Sequence, residues 1–192
     1  SASAPEVTRM PAPAQGKAVV TTAVAGEVRV KVPGGDGYQS LGDVASVPVG
    51  AVVDARHGTI TLSSETADGT QTGEFRGALF EVRQSRAGDG MTELHLRGGS
   101  FAACRPTQKT VARAAGKRKR AVRSLWGKDK SGRFRTHGRD SVATVRGTEW
   151  RVTDRCDGTV TTVTEGAVMV RDRHTGRRTL VRAGQRHFAR HR

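Results

Sequence analysis

Asparagine is missing from this chain altogether, so no N-glycosylation acceptor exists. Aromatic residues make up only 4% of its 192 positions, and Ile60 is the sole isoleucine. No apolar run approaches the ~18–20 residues that a membrane-spanning helix needs. The longest, Val47 to Val53, is broken by Pro48 and Gly50. Membrane insertion is therefore not expected. Catalytic signatures are equally scarce. There is no Gly-x-Ser-x-Gly elbow, and no glycine-rich phosphate loop precedes a helical pattern. The six histidines (His57, His95, His137, His174, His187 and His191) include no His-x-His pair. His187 and His191 stand four apart, but in a charged terminal segment. Asp154 and Asp157, on either side of Cys156, read as hairpin residues rather than calcium ligands. No enzyme, cofactor or metal is expected from these patterns.

Valine, threonine and 24 glycines dominate what remains. Branched side chains lose χ1 freedom in helices and fit a pleated surface, so this composition argues for an all-β fold. Gly26–Lys31 alternates cleanly: Val28 and Val30 point one way, Glu27, Arg29 and Lys31 the other. Similar segments recur at Ala18–Val24, Thr59–Leu62, Leu79–Val82, Thr92–Leu96, Glu149–Thr153, Thr159–Thr164 and Ala167–Arg171. Turn residues such as Pro33-Gly34-Gly35-Asp36-Gly37 and Gly88-Asp89-Gly90 separate them. Many short strands with regular turns predict a sandwich, barrel or short solenoid of antiparallel hairpins.

The net charge of +15 is concentrated. Residues 1–103 carry a slight acidic excess, residues 140–192 a modest basic one, and residues 104–139 hold 13 basic side chains against Asp129 alone. Such a block suits polyanions. Candidate contacts are Lys117, Arg118, Lys119, Arg120, Arg123, Lys128, Lys130, Arg133 and Arg135, with Trp126 and Phe134 as stacking surfaces. The partner class this charge implies is an acidic polymer or protein at a cell surface, with nonspecific nucleic-acid binding as a further option. Val111, Ala115, Val122 and Leu125-Trp126 recur at roughly helical spacing, which predicts a marginal helix within a basic insertion over 105–133. Residues 1–16 read as an extended Pro/Ala-rich arm, 17–104 and 134–186 as two parts of one β-domain, and 187–192 as a basic tail.

The small-residue start, Ser1-Ala2-Ser3-Ala4-Pro5, has the composition expected just after a signal-peptidase site, so a secreted or cell-surface location is expected. Cys104 and Cys156, an even count in such a protein, predict a disulfide. It would contribute about 4 kcal/mol in the chain-entropy model. Trp150 reads as a core residue, with a sugar-stacking platform as the other option.

Between Lys17 and Gln185 the order of motifs resembles the FecR-type domain. Its pieces look like Gly-x-Val-x-Val at Gly26, Leu41-Gly42, Val49–Asp54 and Leu94–Gly99. The most specific pieces come later: Val145-Arg146-Gly147-Thr148 with Trp150, then Glu165-Gly166-x-Val168, then Gly184-Gln185. The resemblance implies a non-catalytic β-rich binding or structural module. Membrane-bound relatives carry an anti-sigma segment and a transmembrane helix, and this chain shows neither, so their signalling role is not expected. Two functions fit these features. One is a secreted binding module. The other is a structural subunit of an extracellular assembly or filament, a homo-oligomer whose N-terminal arm adds a strand to a neighbour.

Overall fold

The computed structural model describes residues 11–105, 120–130 and 132–192. Its first part contains β1 (Ala18–Lys31), β2 (Gln39–Ser40), β3 (Val44–Pro48), β4 (Val52–Thr66), β5 (Gly69–Arg76), β6 (Leu79–Gln84) and β7 (Thr92–Arg97). A short 3-10 turn, Phe101–Cys104, comes next. The second part contains β8 (Ala121–Asp129), β9 (Arg133–His137), β10 (Ser141–Arg146), β11 (Glu149–Arg155), β12 (Gly158–Glu165), β13 (Ala167–Asp172), β14 (Arg178–Arg182) and β15 (Arg186–Arg190). The all-β expectation holds: no α-helix occurs among the described residues.

All strands belong to one nearly closed, barrel-like sheet in the order β14-β13-β10-β9-β7-β6-β4-β5-β8-β11-β12-β15. β1 lies off this path against β4, with β2 and β3 on it. The 15-residue β4 turns a corner. Its start, Val52–Asp54, pairs with β6, and Thr59–Thr66 pairs with β5. The later strands dock on both sides of this corner. β8 pairs with β5, while β9 pairs with β7 in a parallel ladder. The two halves of the sequence therefore share one core.

Phe75 stands at the centre of that core, edge-on to Phe80, Phe134 and Trp150 with centroids 6.2, 5.2 and 6.1 Å away. Each such pair adds roughly 0.5–1.5 kcal/mol beyond area burial. Trp150 is fully buried and donates from Nε1 to Thr136 Oγ1 at 3.1 Å, so it is a core residue and no sugar platform. Phe134 is fully buried too, which removes it as a base-stacking surface.

The described part of the expected basic insertion is not helical. Ala121–Asp129 is strand β8, hydrogen-bonded to β5 on one side and β11 on the other. The helical reading arose because β8 points only one apolar side chain, Leu125, inward. Gly127 is the next inward position. A Cβ there would lie 2.6 Å from Trp150 Cζ2, so the indole fills the space a side chain would occupy. Residues 106–119, the rest of the expected insertion, lie outside the described residues. The expected C-terminal tail is likewise a strand, β15, paired with β12. Residues 1–10 of the expected arm are outside the described part. Its end is no free arm: Ala14 bridges Ala18, and Gly16 N–H donates to Gln84 Oε1 at 2.9 Å.

Cys104 and Cys156 are bonded, with Cα atoms 5.2 Å apart. The bridge closes a loop of 52 residues and ties the end of the first half to the β11–β12 hairpin.

Candidate functional site

Several of the residues on which the FecR-type resemblance rests lie at adjoining turns of the sheet. Gly147 has φ +61°, and a Cβ there would meet Lys130 O at 2.8 Å. Only glycine relieves both constraints. Asp129, buried at the end of β8, accepts from Gly147 N (3.2 Å) and Thr148 N (2.9 Å). Burial raises the Asp129 pKa against these two backbone donors. Thr148 Oγ1 lies 3.1 Å from the carbonyls of Arg146 and Ala167, joining the β10 end to the Gly166 turn. Ala183 N donates to Gly166 O, and Gly184 N to Val163 O. Gln185 Oε1 accepts from Arg182 N at 3.0 Å. Val145 and Val168 are buried, paired across β10 and β13. These residues lock turns, and Arg146 is exposed beside them.

Among the described residues, most of the cationic candidates are already paired with carboxylates. Lys117, Arg118 and Lys119 lie outside the described residues. Arg123 is bound to the fully buried Asp154 at 2.7 Å. That carboxylate also accepts from Arg139 N and Thr159 Oγ1, so it is a buried hub rather than a hairpin residue. Asp157 does sit in the β11–β12 turn, paired with Arg155 at 2.5 Å. Lys128 pairs with Glu149 (3.0 Å) and lies 3.7 Å from Glu165. Arg133 pairs with Asp68 and Asp89, and Arg135 with Glu93 at 2.8 Å. Arg120 and Lys130 are exposed, with no carboxylate partner among the described residues.

A different set of arginines forms no ion pair among the described residues, and β-register aligns it. Arg76 in β5 stands opposite Trp126 in β8. Trp126 stands opposite Arg151 in β11, Arg151 opposite Thr162 in β12, and Thr162 opposite Arg186 in β15. All five point outward, and only Trp126 is half-buried. With strands about 4.8 Å apart, the row runs roughly 19 Å and spaces its arginines by roughly 10 Å. No carboxylate among the described residues pairs with Arg76, Arg151 or Arg186. The Arg76 guanidinium lies over the Trp126 ring at 4.1 Å. Trp126 Nε1 donates to Glu149 Oε1 at 3.3 Å, which fixes the ring.

One end of the row opens into a groove of about 570 Å³, lined by Arg76, Trp126, Arg151, Ser124, Arg56 and His57. Arg56 is already used. It holds Asp54 at 2.7 Å, and its hydrogen bonds draw the Asp54 pKa down to about 2. Two residues along β5, β8 and β11, and three along β12 where the register shifts, one neighbouring row reads Glu74, Lys128, Glu149 and Glu165, an acidic lane. The row on the other side reads Ser124, Thr153, Val160 and the exposed Phe188. An anion on the arginine row is therefore repelled from one flank and met by hydroxyls and an aromatic ring on the other.

Two histidine–carboxylate groups also assemble, although nothing in the sequence spacing announces either. In one, His95 and His137 stack at 3.9 Å beside Glu93. Burial, then the charge of His95, push the His137 pKa down to about 4. Arg173 Nη2 donates to His137 Nδ1 at 2.9 Å, so the neutral ring carries its proton on Nε2. Arg135 on Glu93 and Arg173 on His137 thus already occupy two of the lone pairs that a cation here would need. The other group is Asp140, His174 and His191.

The chain matches no family model, no curated protein and no solved structure.

Proposed function

We propose that this chain is a non-catalytic, FecR-like β-domain that binds an acidic linear polysaccharide at a cell surface. The polymer lies across strands β5, β8, β11, β12 and β15. The observation that carries this reading is the single cross-strand row of Arg76, Trp126, Arg151 and Arg186, whose cations have no protein counter-ion among the described residues. Three guanidiniums left unneutralised on a pleated surface suit carboxylate or sulfate groups, which they bind bidentately. Trp126, whose ring already carries the Arg76 guanidinium, adds the rest of its indole surface to a sugar contact, and the exposed Phe188 a second ring. The acidic lane beside the row confines the polymer by repulsion. The disulfide supports an oxidising, extracellular setting.

Binding to a sulfated or uronic-acid polysaccharide tests the reading. Replacing Arg76, Arg151 and Arg186 together by serine is expected to weaken binding by about tenfold or more at moderate salt. Equal binding by that variant and wild type overturns it. Equal affinity for DNA, RNA and the polysaccharide at matched charge, untouched by Trp126→Ala, overturns the sugar contact.

A second reading, a subunit of an extracellular assembly, is favoured by the exposed Val24 on β1, Tyr38 just before β2 and Val44 on β3; among the described residues β2 and β3 pair only with β1. Salt-insensitive polymers that disappear on deleting residues 1–10 support it, and a monomer at high concentration removes it.

A further inference from the structure

The geometry points to a binding site for one divalent transition-metal ion of the zinc class, held by Asp140, His174 and His191, which clips the C-terminal strand to the end of the barrel. Asp140 lies in the turn between β9 and β10, with its side chain only 1% exposed. Its backbone is fixed from both sides: Asp140 N donates to Thr159 Oγ1 at 2.9 Å, and its carbonyl accepts from Arg173 N at 2.9 Å. Two imidazoles converge on one carboxylate oxygen. His174 Nε2 is 2.8 Å and His191 Nδ1 2.7 Å from Asp140 Oδ1. The second oxygen, Oδ2, is buried and has no hydrogen-bond partner among the described residues. An unpartnered buried carboxylate oxygen is costly, and a cation satisfies it.

The candidate ligand atoms all lie within 4.8 Å of one another. A tetrahedral ion with bonds near 2.0–2.1 Å holds its ligands about 3.4 Å apart. The two imidazole nitrogens must therefore move about 0.6 Å away from Asp140 Oδ1, no pair has to close by more than about 1.4 Å, and the two histidine side chains are 29% and 34% exposed, free to turn. Their backbones are already placed. Asp172 Oδ1 accepts from His174 N at 2.8 Å, and Asp157 O accepts from His191 N at 2.8 Å. Two imidazole nitrogens and one carboxylate suit zinc, nickel or copper rather than calcium or magnesium, which prefer all-oxygen shells. A fourth position remains for water or for Asp140 Oδ2.

One neighbour opposes loading. The Arg139 guanidinium contacts His191 Nε2 and so favours the tautomer with its proton on Nδ1. A metal on Nδ1 requires the opposite tautomer, and Arg139 must withdraw. The Phe101 ring, already 4.3 Å from its guanidinium carbon, offers a resting place. Removing Arg139 should therefore tighten binding. The ion would join the β9–β10 turn, the β13–β14 turn and the end of β15. It would thereby add a second tie between β14 and β15, the two ends of the main strand path, which residues 183–185 already join.

The test is zinc titration of the untagged, chelator-treated full chain by calorimetry, with a parallel thermal melt. One equivalent is expected to bind and to raise the melting temperature. His174→Gln and His191→Gln are each expected to weaken zinc binding by about tenfold or more, and Arg139→Ala to strengthen it several-fold. His95→Gln/His137→Gln should leave the affinity unchanged, which separates the two histidine groups. Because both glutamine variants at the site change partly exposed side chains, loss of binding with the fold intact is readable by circular dichroism. The proposal is overturned if wild type takes up no zinc at about 100 μM. Uptake that survives in the His174→Gln/His191→Gln double variant overturns it as well. Polysaccharide binding by these variants reports separately on the arginine row.

Discussion

Two outward faces of the same sheet treat their arginines in opposite ways. On β6, β7 and β9, cations meet carboxylates. Glu81 holds Arg83 at 2.6 Å and accepts from Arg97, while Glu93 takes Arg135, with His95 and His137 beside it. On β5, β8, β11, β12 and β15, Arg76, Arg151 and Arg186 face an indole and a threonine instead. The difference is one of register. Arg135 stands directly opposite Glu93, whereas both Arg76 and Arg151 stand opposite Trp126. Cross-strand opposite charges stabilise a sheet by a few tenths to about 1 kcal/mol. The first face uses its charge for folding. The second leaves its charge available.

The sharpest test lies where pairing is fully buried. Asp154→Ala strips Arg123, Arg139 N and Thr159 Oγ1 of their shared acceptor. We expect a loss of about 3–5 kcal/mol in urea denaturation. Glu93→Gln, on the half-exposed paired face, is expected to cost about 2 kcal/mol. A cost near zero would mean that this face is no more committed to folding than the other.

Acid provides a third measurement. His137 is held neutral in the folded chain down to about pH 4, against an ordinary value of 6.5. Between those values the unfolded chain binds more protons, so stability falls as pH drops through this window, by roughly 3 kcal/mol at most. Asp54, lowered from 3.8 to about 2, adds a further loss below pH 4. His137→Gln should flatten the upper part of this profile, and Arg151→Ser should leave it unchanged. The smallest effect belongs to the unpaired row. Arg151→Ser is expected to alter stability by less than about 0.5 kcal/mol while weakening polysaccharide binding. A destabilisation matching that of Glu93→Gln would erase the contrast between the faces.

Strands are readable wherever inward valines alternate with polar residues. Val28 and Val30 mark β1, and Val168 and Val170 mark β13. The tight approach at Gly147 is visible as well, but its partner Asp129 is not, because the two are joined by folding rather than by spacing. β8 resembles a helix in sequence because two of its inward positions are Gly127 and Asp129. One yields space to Trp150, and the other caps a remote turn. β15 resembles a tail because it turns His187 and Ala189 inward and Arg186, Phe188 and Arg190 outward. Trp126 stands out as a stacking candidate. Its companions Arg76, Arg151 and Arg186 do not, since each looks like an ordinary outward arginine in its own strand.

Local chemistry was enough to establish the strand-rich body, its turns and the cysteine pair, because alternation, glycine punctuation and thiol parity are each encoded in short stretches or simple counts. Which charge meets which, and whether Asp140 meets His174 and His191, depended on long-range register and strand order. A one-residue slip between two strands turns every side chain to the other face, and no short segment carries that information.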